Sequence, residues 1–185
     1  MESVLIVGAG FMGAGIAQVC AQSGYLTYLM DVEREALEKT HREMQWSLDK
    51  LWGKGLLKDP PQTILKRILF EQDLGDATKV DWVIEATPET LNLKQEIFKE
   101  LDRLTSVNTV LATNTSSIPI TTIAHATQHP ERVIGLHFFG PVPLMDLVEV
   151  IRGEKTAPGI LERGVGFIRS LGKTPILVRK DVPAS

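Results

Sequence analysis

The chain alternates short runs of β-branched and aliphatic residues with longer segments whose apolar positions recur at helical spacing. Residues 4–7 form one unbroken apolar run, as expected for a strand that is buried on both faces of a sheet. A glycine-rich turn follows, then a helical pattern that reaches Gln22 and a second apolar run over residues 25–30. Strand, turn, helix and strand within about thirty residues predict a βαβ unit.

The same reading extends to the rest of the chain. Further strands are predicted at residues 68–70, 80–86, 109–112, 132–138, 146–151 and 175–178. Further helices are predicted at residues 33–51, 62–67, 91–104, 121–126 and 158–171. The first two of these helices exceed a normal crossover and predict a helical hairpin that projects from the domain. The two strands on either side of residues 139–145 are too close for a parallel crossover, so they are expected to form an antiparallel hairpin.

The predicted fold class is therefore α/β: a Rossmann-type, doubly wound, mostly parallel sheet with a projecting helical hairpin and a late antiparallel hairpin. The 185 residues, 43% of them hydrophobic, suit one domain with one core, predicted to span residues 1–185. A net charge of −3 gives no reason to expect a nucleic acid or an anionic membrane as partner.

Several features of the chain indicate a cytoplasmic protein. The single cysteine, Cys20, cannot form an internal disulfide, which is compatible with a reducing compartment. The first strand begins at Ser3 or Val4, which leaves no room for a signal peptide ahead of the fold. No apolar stretch approaches the length of a membrane-spanning helix. No metal site is predicted.

Gly8, Gly10 and Gly13 fit the G-x-G-x-x-G pattern of dinucleotide-binding turns, directly after a buried strand and at the start of a helix. The first glycine permits the tight turn, the second allows a pyrophosphate to approach, and the third allows helix and strand to pack closely. Asp31, at the end of the second strand, would accept from the ribose 2′-hydroxyl and repel a 2′-phosphate, which favours NAD over NADP. A glycine turn in an unrelated α/β fold is the alternative.

Hydride transfer from an alcohol needs a base for the hydroxyl proton and a donor for the developing oxyanion. His137 ends a predicted strand, and Glu149 lies across the predicted hairpin as a carboxylate in an apolar strand. An antiparallel hairpin centred on Pro143 would place the two opposite or diagonal to one another, where the carboxylate can orient the imidazole. A structural His–Glu pair is the alternative. Ser116 follows a parallel strand, where such sheets bind ligands, and is alternatively a helix cap.

Three segments carry a resemblance to a known family: residues 8–17, residues 114–117, and residues 137–145 with their continuation at 147–150. Together they resemble the NAD-binding domain of 3-hydroxyacyl-CoA dehydrogenases, in the same order and spacing over essentially the whole chain. The resemblance implies the reversible reaction 3-hydroxyacyl-CoA + NAD⁺ ⇌ 3-oxoacyl-CoA + NADH + H⁺, within fatty acid metabolism and β-oxidation.

The resemblance also implies residue roles. His137 would be the acid/base at the substrate's C3 oxygen, Glu149 its orienting partner, and Ser116 a hydrogen-bond donor to that oxygen. Asp31 would hold the adenosine ribose. Further cofactor contacts are implied at Phe11, Met12, Asn114, Glu89 and Lys94, the last two near the nicotinamide half.

A coenzyme A site is implied in the projecting hairpin, where Ser47 and Lys54 match positions that meet coenzyme A in the family. Lys50, Lys54 and Lys58 make this segment locally basic, which suits the phosphates of coenzyme A. A solvated helix face is the alternative explanation of this charge.

Two departures from the family pattern stand out. Gly140 occupies a position where the family usually has asparagine, so a side-chain contact near the nicotinamide or substrate is missing or supplied otherwise. Family members continue beyond Lys180–Pro183 into a helical second domain with much of a homodimer interface, and this domain is expected to be absent here. Two other functions therefore stay open: an NAD-binding fragment with little turnover, and a CoA-independent dehydrogenase of a sugar-derived hydroxy acid of the L-gulonate type.

Overall fold

The computed structural model describes residues 1–179 and 181, and the described part of the chain forms one eight-stranded sheet with helices on both faces. The strands are β1 (Ser3–Val7), β2 (Leu26–Met30), β3 (Ile68–Glu71), β4 (Trp82–Glu85), β5 (Val110–Thr113), β6 (Val133–Phe138), β7 (Leu147–Ile151) and β8 (Thr174–Val178). The helices are α1 (Phe11–Gln22), α2 (Arg34–Gly53), α3 (Pro61–Leu65), α4 (Leu91–Leu104), α5 (Ile120–Ala124) and α6 (Pro158–Ser170), with 3₁₀ turns at Gly75–Thr78 and Pro130–Arg132.

The strand order is β3-β2-β1-β4-β5-β6-β7-β8. The first six strands in this order are parallel, β7 runs antiparallel to β6, and β8 is parallel to β7. The order reverses between β1 and β4, and the crevice at such a reversal is where doubly wound sheets bind ligands. The predicted fold class, including the antiparallel hairpin, is confirmed.

Two hydrophobic cores, one on each face, hold the helices to the sheet. On one face, α1, α2, α3 and α6 pack against alternate strand residues such as Val4 and Ile6. On the other face, α4 and α5 pack against the intervening residues, such as Leu5 and Val7. This alternation is the reason why β1 has no polar residue after Ser3: each of its side chains from Val4 onward enters a core.

The connection between β2 and β3 differs in detail from the prediction. The long helix α2 continues through Gly53, and the chain turns where Gly55 adopts a φ of +69°. The return helix is a single short turn, α3, which begins at Pro61. Both helices contact α1 and contribute Leu48 and Ile64 to the core, so the hairpin is packed against the domain along part of its length. Among the described helices, none is both long and apolar enough to cross a membrane.

Candidate active site

The glycine turn between β1 and α1 uses its three glycines for different physical reasons. Gly8 has a φ of +106°, and a Cβ there would lie 2.6 Å from the carbonyl oxygen of Ala86. A Cβ on Gly13 would lie 1.7 Å from the carbonyl oxygen of Gly8, so only glycine lets the helix start so close to the strand. A Cβ on Gly10 would meet nothing within 4 Å, which leaves open space above the turn.

The start of α1 offers what an anionic ligand needs. No side chain caps this helix, so its first amides and its dipole face the open space above Gly10. Asp31 lies beside the turn, with Oδ2 accepting from Ala9 N at 2.9 Å and Oδ1 accepting from Glu33 N at 2.9 Å. Each carboxylate oxygen can accept a further hydrogen bond, so Asp31 can still receive a ribose hydroxyl. The turn and Asp31 thus fit an adenine dinucleotide.

A cleft of about 360 Å³ opens at the carboxyl ends of β4, β5 and β6, next to the glycine turn. It brings together six of the site residues predicted from the sequence: Met12, Glu89, Lys94, Asn114, Ser116 and His137. The carboxyl ends of parallel strands meet at one edge of the sheet, which explains how residues so far apart in sequence reach one cleft.

His137 and Glu149 are direct partners across the β6–β7 hairpin. His137 Nδ1 lies 3.1 Å from Glu149 Oε2, and both side chains are partly buried. The ring of Phe139 packs at 4.6 Å from the imidazole, centroid to centroid. The imidazole is therefore held from two sides, while its edge lines the cleft.

The loop after β5 is anchored next to the strand that carries His137. Asn114 accepts a hydrogen bond from Phe138 N through its side-chain oxygen, at 2.8 Å, and its own N–H donates to the carbonyl of Glu85 at 2.9 Å. Ser116, two residues further along, is exposed and lines the cleft, as a group that contacts substrate must be.

Lys94 lines the cleft but is only 1% exposed. Its three donor positions are taken by Glu85 at 2.7 Å, the carbonyl of Thr87 at 3.0 Å and Glu89 at 3.1 Å. The ammonium group therefore positions Glu89. Partial burial by itself would raise the pKa of Glu89, but hydrogen bonds from Thr115 and Ser117 and the neighbouring ammonium outweigh it and hold the pKa below its usual value.

Sequence reasoning missed Glu85, a fully buried carboxylate at the end of β4. The signal that could have identified it is the one that identified Glu149, an acidic residue inside an otherwise apolar strand. The strand predicted over residues 80–86 contains Glu85, but no functional role is predicted for this side chain from the sequence.

A separate groove of about 570 Å³ runs between α1, α2 and residues 141–144, and both residues of the implied coenzyme A site line it. Ser47 accepts from Gln18 Nε2 at 3.1 Å and keeps its own proton for a ligand. Lys54 lies at the end of α2, where Lys50 stacks over the ring of Trp46, 65% of which is exposed. The groove thus combines cations and an exposed aromatic ring, a surface that suits a nucleotide.

Gly140 and Phe11 meet between the groove and the cleft. A Cβ on Gly140 would lie 2.6 Å from Phe11 Cε1 and 3.2 Å from Met12 Sδ. Phe11 lines the groove and Gly140 lines the cleft. The space next to position 140 is therefore taken by the rim of the Phe11 ring.

The family model described as "3-hydroxyacyl-CoA dehydrogenase, NAD binding domain" matches residues 3–182. The chain belongs to this family. NAD is the cofactor of this family's domain, in agreement with the three glycines and Asp31.

Individual relatives agree with the family assignment. A probable 3-hydroxybutyryl-CoA dehydrogenase of Deinococcus radiodurans is 46% identical over 92% of this chain and 62% of its own length. The mitochondrial hydroxyacyl-coenzyme A dehydrogenase of Sus scrofa is 40% identical over 99% of this chain and 60% of its own length. The crystal structure of 3-hydroxybutyryl-CoA dehydrogenase from Escherichia coli K12 superposes with a TM-score of 0.92 at 40% identity, covering 95% of this chain and 38% of that one. The chain thus spans less than two thirds of these relatives.

Proposed function

We propose that this chain, as a single NAD-binding domain over residues 1–185, serves an NAD-dependent 3-hydroxyacyl-CoA dehydrogenase that interconverts 3-hydroxyacyl-CoA and 3-oxoacyl-CoA. The observation that carries the proposal is the 3.1 Å contact between His137 Nδ1 and Glu149 Oε2, at a cleft that Ser116 also lines. An imidazole held by a carboxylate, next to a turn that fits a dinucleotide, meets the chemical needs of an alcohol–ketone interconversion.

The proposed chemistry follows from the tautomer that Glu149 favours. A carboxylate that accepts from Nδ1 leaves Nε2 of His137 without a proton, so that Nε2 can accept one. In the oxidative direction Nε2 takes the proton of the C3 hydroxyl, and in the reductive direction it returns that proton to the oxygen. The Ser116 hydroxyl donates to the same oxygen while negative charge develops there. NAD⁺, when bound, supplies the hydride acceptor for the C3 hydrogen.

Coenzyme A is proposed to lie in the groove beside α2. Lys54 would pair with a phosphate, Ser47 would donate a hydrogen bond, and the exposed ring of Trp46 offers a stacking surface for adenine. The groove and the cleft adjoin each other at Phe11 and Gly140, so the thioester arm would pass this contact to reach His137. These contacts favour an acyl-CoA over a free hydroxy acid.

The proposal extends to the protein's context. We place the reaction in fatty acid metabolism, as a step of β-oxidation, in the cytoplasm, with neither nucleic acid nor membrane as partner. A longer form that includes a helical second domain is proposed to be a homodimer, with that domain completing the acyl pocket.

The test starts with binding and proceeds to turnover. NADH should bind this chain in a fluorescence titration. A longer form that includes the helical second domain should consume NADH in the presence of acetoacetyl-CoA. His137→Ala should lower kcat by about 10²- to 10⁴-fold, because it removes the general acid/base. His125→Ala is the matched control, since His125 is exposed and lies outside the cleft. Undiminished turnover by His137→Ala would refute the assignment.

The coenzyme A groove is tested with a pair of lysines from one segment. Lys54→Ala should raise KM for acetoacetyl-CoA about twofold to fivefold, as expected for the loss of one exposed ion pair, with kcat unchanged. Lys58→Ala should leave KM unchanged, because Lys58 does not line the groove. Turnover of free hydroxy acids in preference to acyl-CoA would contradict the groove assignment, and NADH binding without any turnover would indicate a cofactor-binding module.

A further inference from the structure

A buried carboxylate lies directly behind the cleft. Glu85 is 0% exposed, and its Oε1 accepts from Lys94 Nζ at 2.7 Å and from the Thr87 N–H and hydroxyl at 2.7 and 2.6 Å. Its Oε2 accepts from the Thr113 hydroxyl at 2.7 Å. All four groups around the two oxygens are donors, which is the environment of an ionised carboxylate.

A second carboxylate completes a closed ring of side chains. Glu89 accepts from Lys94 at 3.1 Å through Oε1 and from the hydroxyls of Thr115 and Ser117 at 2.7 Å through Oε2. Thr115 N in turn donates to the Thr113 hydroxyl at 3.2 Å, which closes the ring back to Glu85. Two carboxylates and one ammonium leave this ring with one net negative charge.

The ring's charge acts on whatever occupies the cleft. Among the residues that line the cleft, His137 is the one ionisable side chain outside the ring. Because Glu89, Lys94 and His137 all line this one cleft, a group that reacts next to His137 lies on the order of 10 Å from the ring. Because Glu85 and Lys94 are almost fully buried, water screens their charges less than it screens surface charges.

We propose that Glu85, through this net negative charge, shifts the relative affinity of the site towards the oxidised cofactor. The inference rests on the proposed function, which brings the nicotinamide ring into the cleft. The oxidised ring carries one positive charge that the reduced ring lacks, whereas the rest of the dinucleotide is the same in both. The negative charge of the ring of side chains therefore changes the difference in binding free energy between NAD⁺ and NADH. One unit charge at 8–10 Å corresponds to about a fourfold to thirtyfold preference at effective dielectric constants of roughly 20–40.

Glu85→Gln tests the proposal, because it removes the charge while it keeps the shape of the side chain. The dissociation constants of NADH and NAD⁺ are measured on this chain, the first by fluorescence titration and the second by competition against NADH. The ratio Kd(NAD⁺)/Kd(NADH) should rise by about fourfold to thirtyfold in the variant.

Thr113→Val is the matched control, since it opens the same ring at Oε2 of Glu85 but keeps every charge. Its ratio of dissociation constants should equal that of the wild type, although hydrogen exchange at the Thr115 amide should accelerate. Thr109→Val measures how much unfolding free energy is lost with a buried hydroxyl just before β5, since Thr109 Oγ1 donates to the carbonyl of Val80 at 2.6 Å.

The outcomes separate the two proposals. An unchanged ratio in Glu85→Gln, or an equal change in Thr113→Val, overturns the charge mechanism while the proposed function stands. Wild-type protein that binds neither redox form overturns both. If Glu85→Gln does not fold, Glu89→Gln removes the same unit of charge at a partly exposed position, and its ratio must then rise for the proposal to hold.

Discussion

Gly10→Ala should separate the cofactor site from the stability of the fold. Gly10 is the residue before α1, with a φ of −74° and a ψ of −172°, a conformation that alanine adopts without strain. An added methyl group would meet no protein atom within 4 Å. Because the pyrophosphate is expected in that open space, the methyl group should obstruct the ligand and leave the protein intact.

The magnitudes follow from this geometry. Alanine lowers the entropy of the unfolded chain, which stabilises by about 0.4–1 kcal/mol, but it is a poorer residue than glycine at the start of a helix, which costs a similar amount. The free energy of unfolding should therefore stay within about 1 kcal/mol of the wild type. Displacing the pyrophosphate from one charge-assisted hydrogen bond loses about 1.5–3 kcal/mol, so NADH affinity should fall about tenfold to 150-fold.

Urea unfolding and NADH fluorescence titration measure the two effects on the same protein sample. Gly13→Ala provides the contrast, because its Cβ would lie 1.7 Å from the Gly8 carbonyl oxygen and must push the helix away from the strand. That variant should lose about 3 kcal/mol or more of unfolding free energy. Wild-type NADH affinity in a stable Gly10→Ala protein would refute the pyrophosphate position.

Three further predictions concern stability, the meeting point of groove and cleft, and pH. Asp102→Asn should cost about 3 kcal/mol or more in urea unfolding at pH 7, because the 2%-exposed Arg132 loses its charge partner, whereas Glu38→Gln in the exposed pair with Arg34 should change stability by less than about 0.5 kcal/mol. Burial alone would raise the pKa of Asp102, but hydrogen bonds from Arg132 and other donors outweigh it and hold the pKa below its usual value. The stabilisation by Asp102 should therefore be full above the ordinary aspartate pKa and disappear as pH falls through the lower folded-state pKa. An acid-unfolding curve that is unchanged in Asp102→Asn would contradict this. Gly140→Ala should displace the Phe11 ring towards the groove and raise KM for acetoacetyl-CoA, with less than about 1 kcal/mol lost in the free energy of unfolding. If Gly140→Ala changed KM by the same amount in a Phe11→Ala background, the effect would not act through the Phe11 ring. The equilibrium of the proposed reaction should shift about tenfold towards the hydroxy product for each unit by which pH falls, since one proton is consumed; an NADH absorbance assay that gives a pH-independent equilibrium would exclude this stoichiometry.

The parts of the fold that sequence predicts best are those with one local cause. The run of residues 4–7 predicts a doubly buried strand, and its side chains do alternate between the two cores. The spacing of His137 and Glu149 about the hairpin centre predicts their pairing, because an antiparallel register is fixed once the turn is located. The boundaries of α2 and α3 were less accurate, since Gly53 and Pro61 are both compatible with helical positions.

The ring around Glu85 could not be derived from the sequence in the same way. Its members come from β4, α4 and the loop after β5, and their contacts depend on the strand order β4-β5, which no local pattern specifies. The family resemblance implies that Lys94 lies near the nicotinamide half of the cofactor, but it does not show that the ammonium group contacts Glu85, the carbonyl of Thr87 and Glu89. The contact between Phe11 and Gly140 likewise joins the first turn to the late hairpin and has no local signal.

The direction of β7 explains how one edge of the sheet holds both halves of the acid–base pair. The carboxyl end of β6 carries His137, and a parallel β7 would present its amino end at the far edge, away from the glycine turn. The antiparallel return brings the start of β7 to the same edge, so that Glu149 lies opposite His137 in register. A slip of one residue in this pairing would turn Glu149 to the opposite face of the sheet. The length of the segment between Phe138 and Leu147 is therefore as much a determinant of the site as the two side chains themselves.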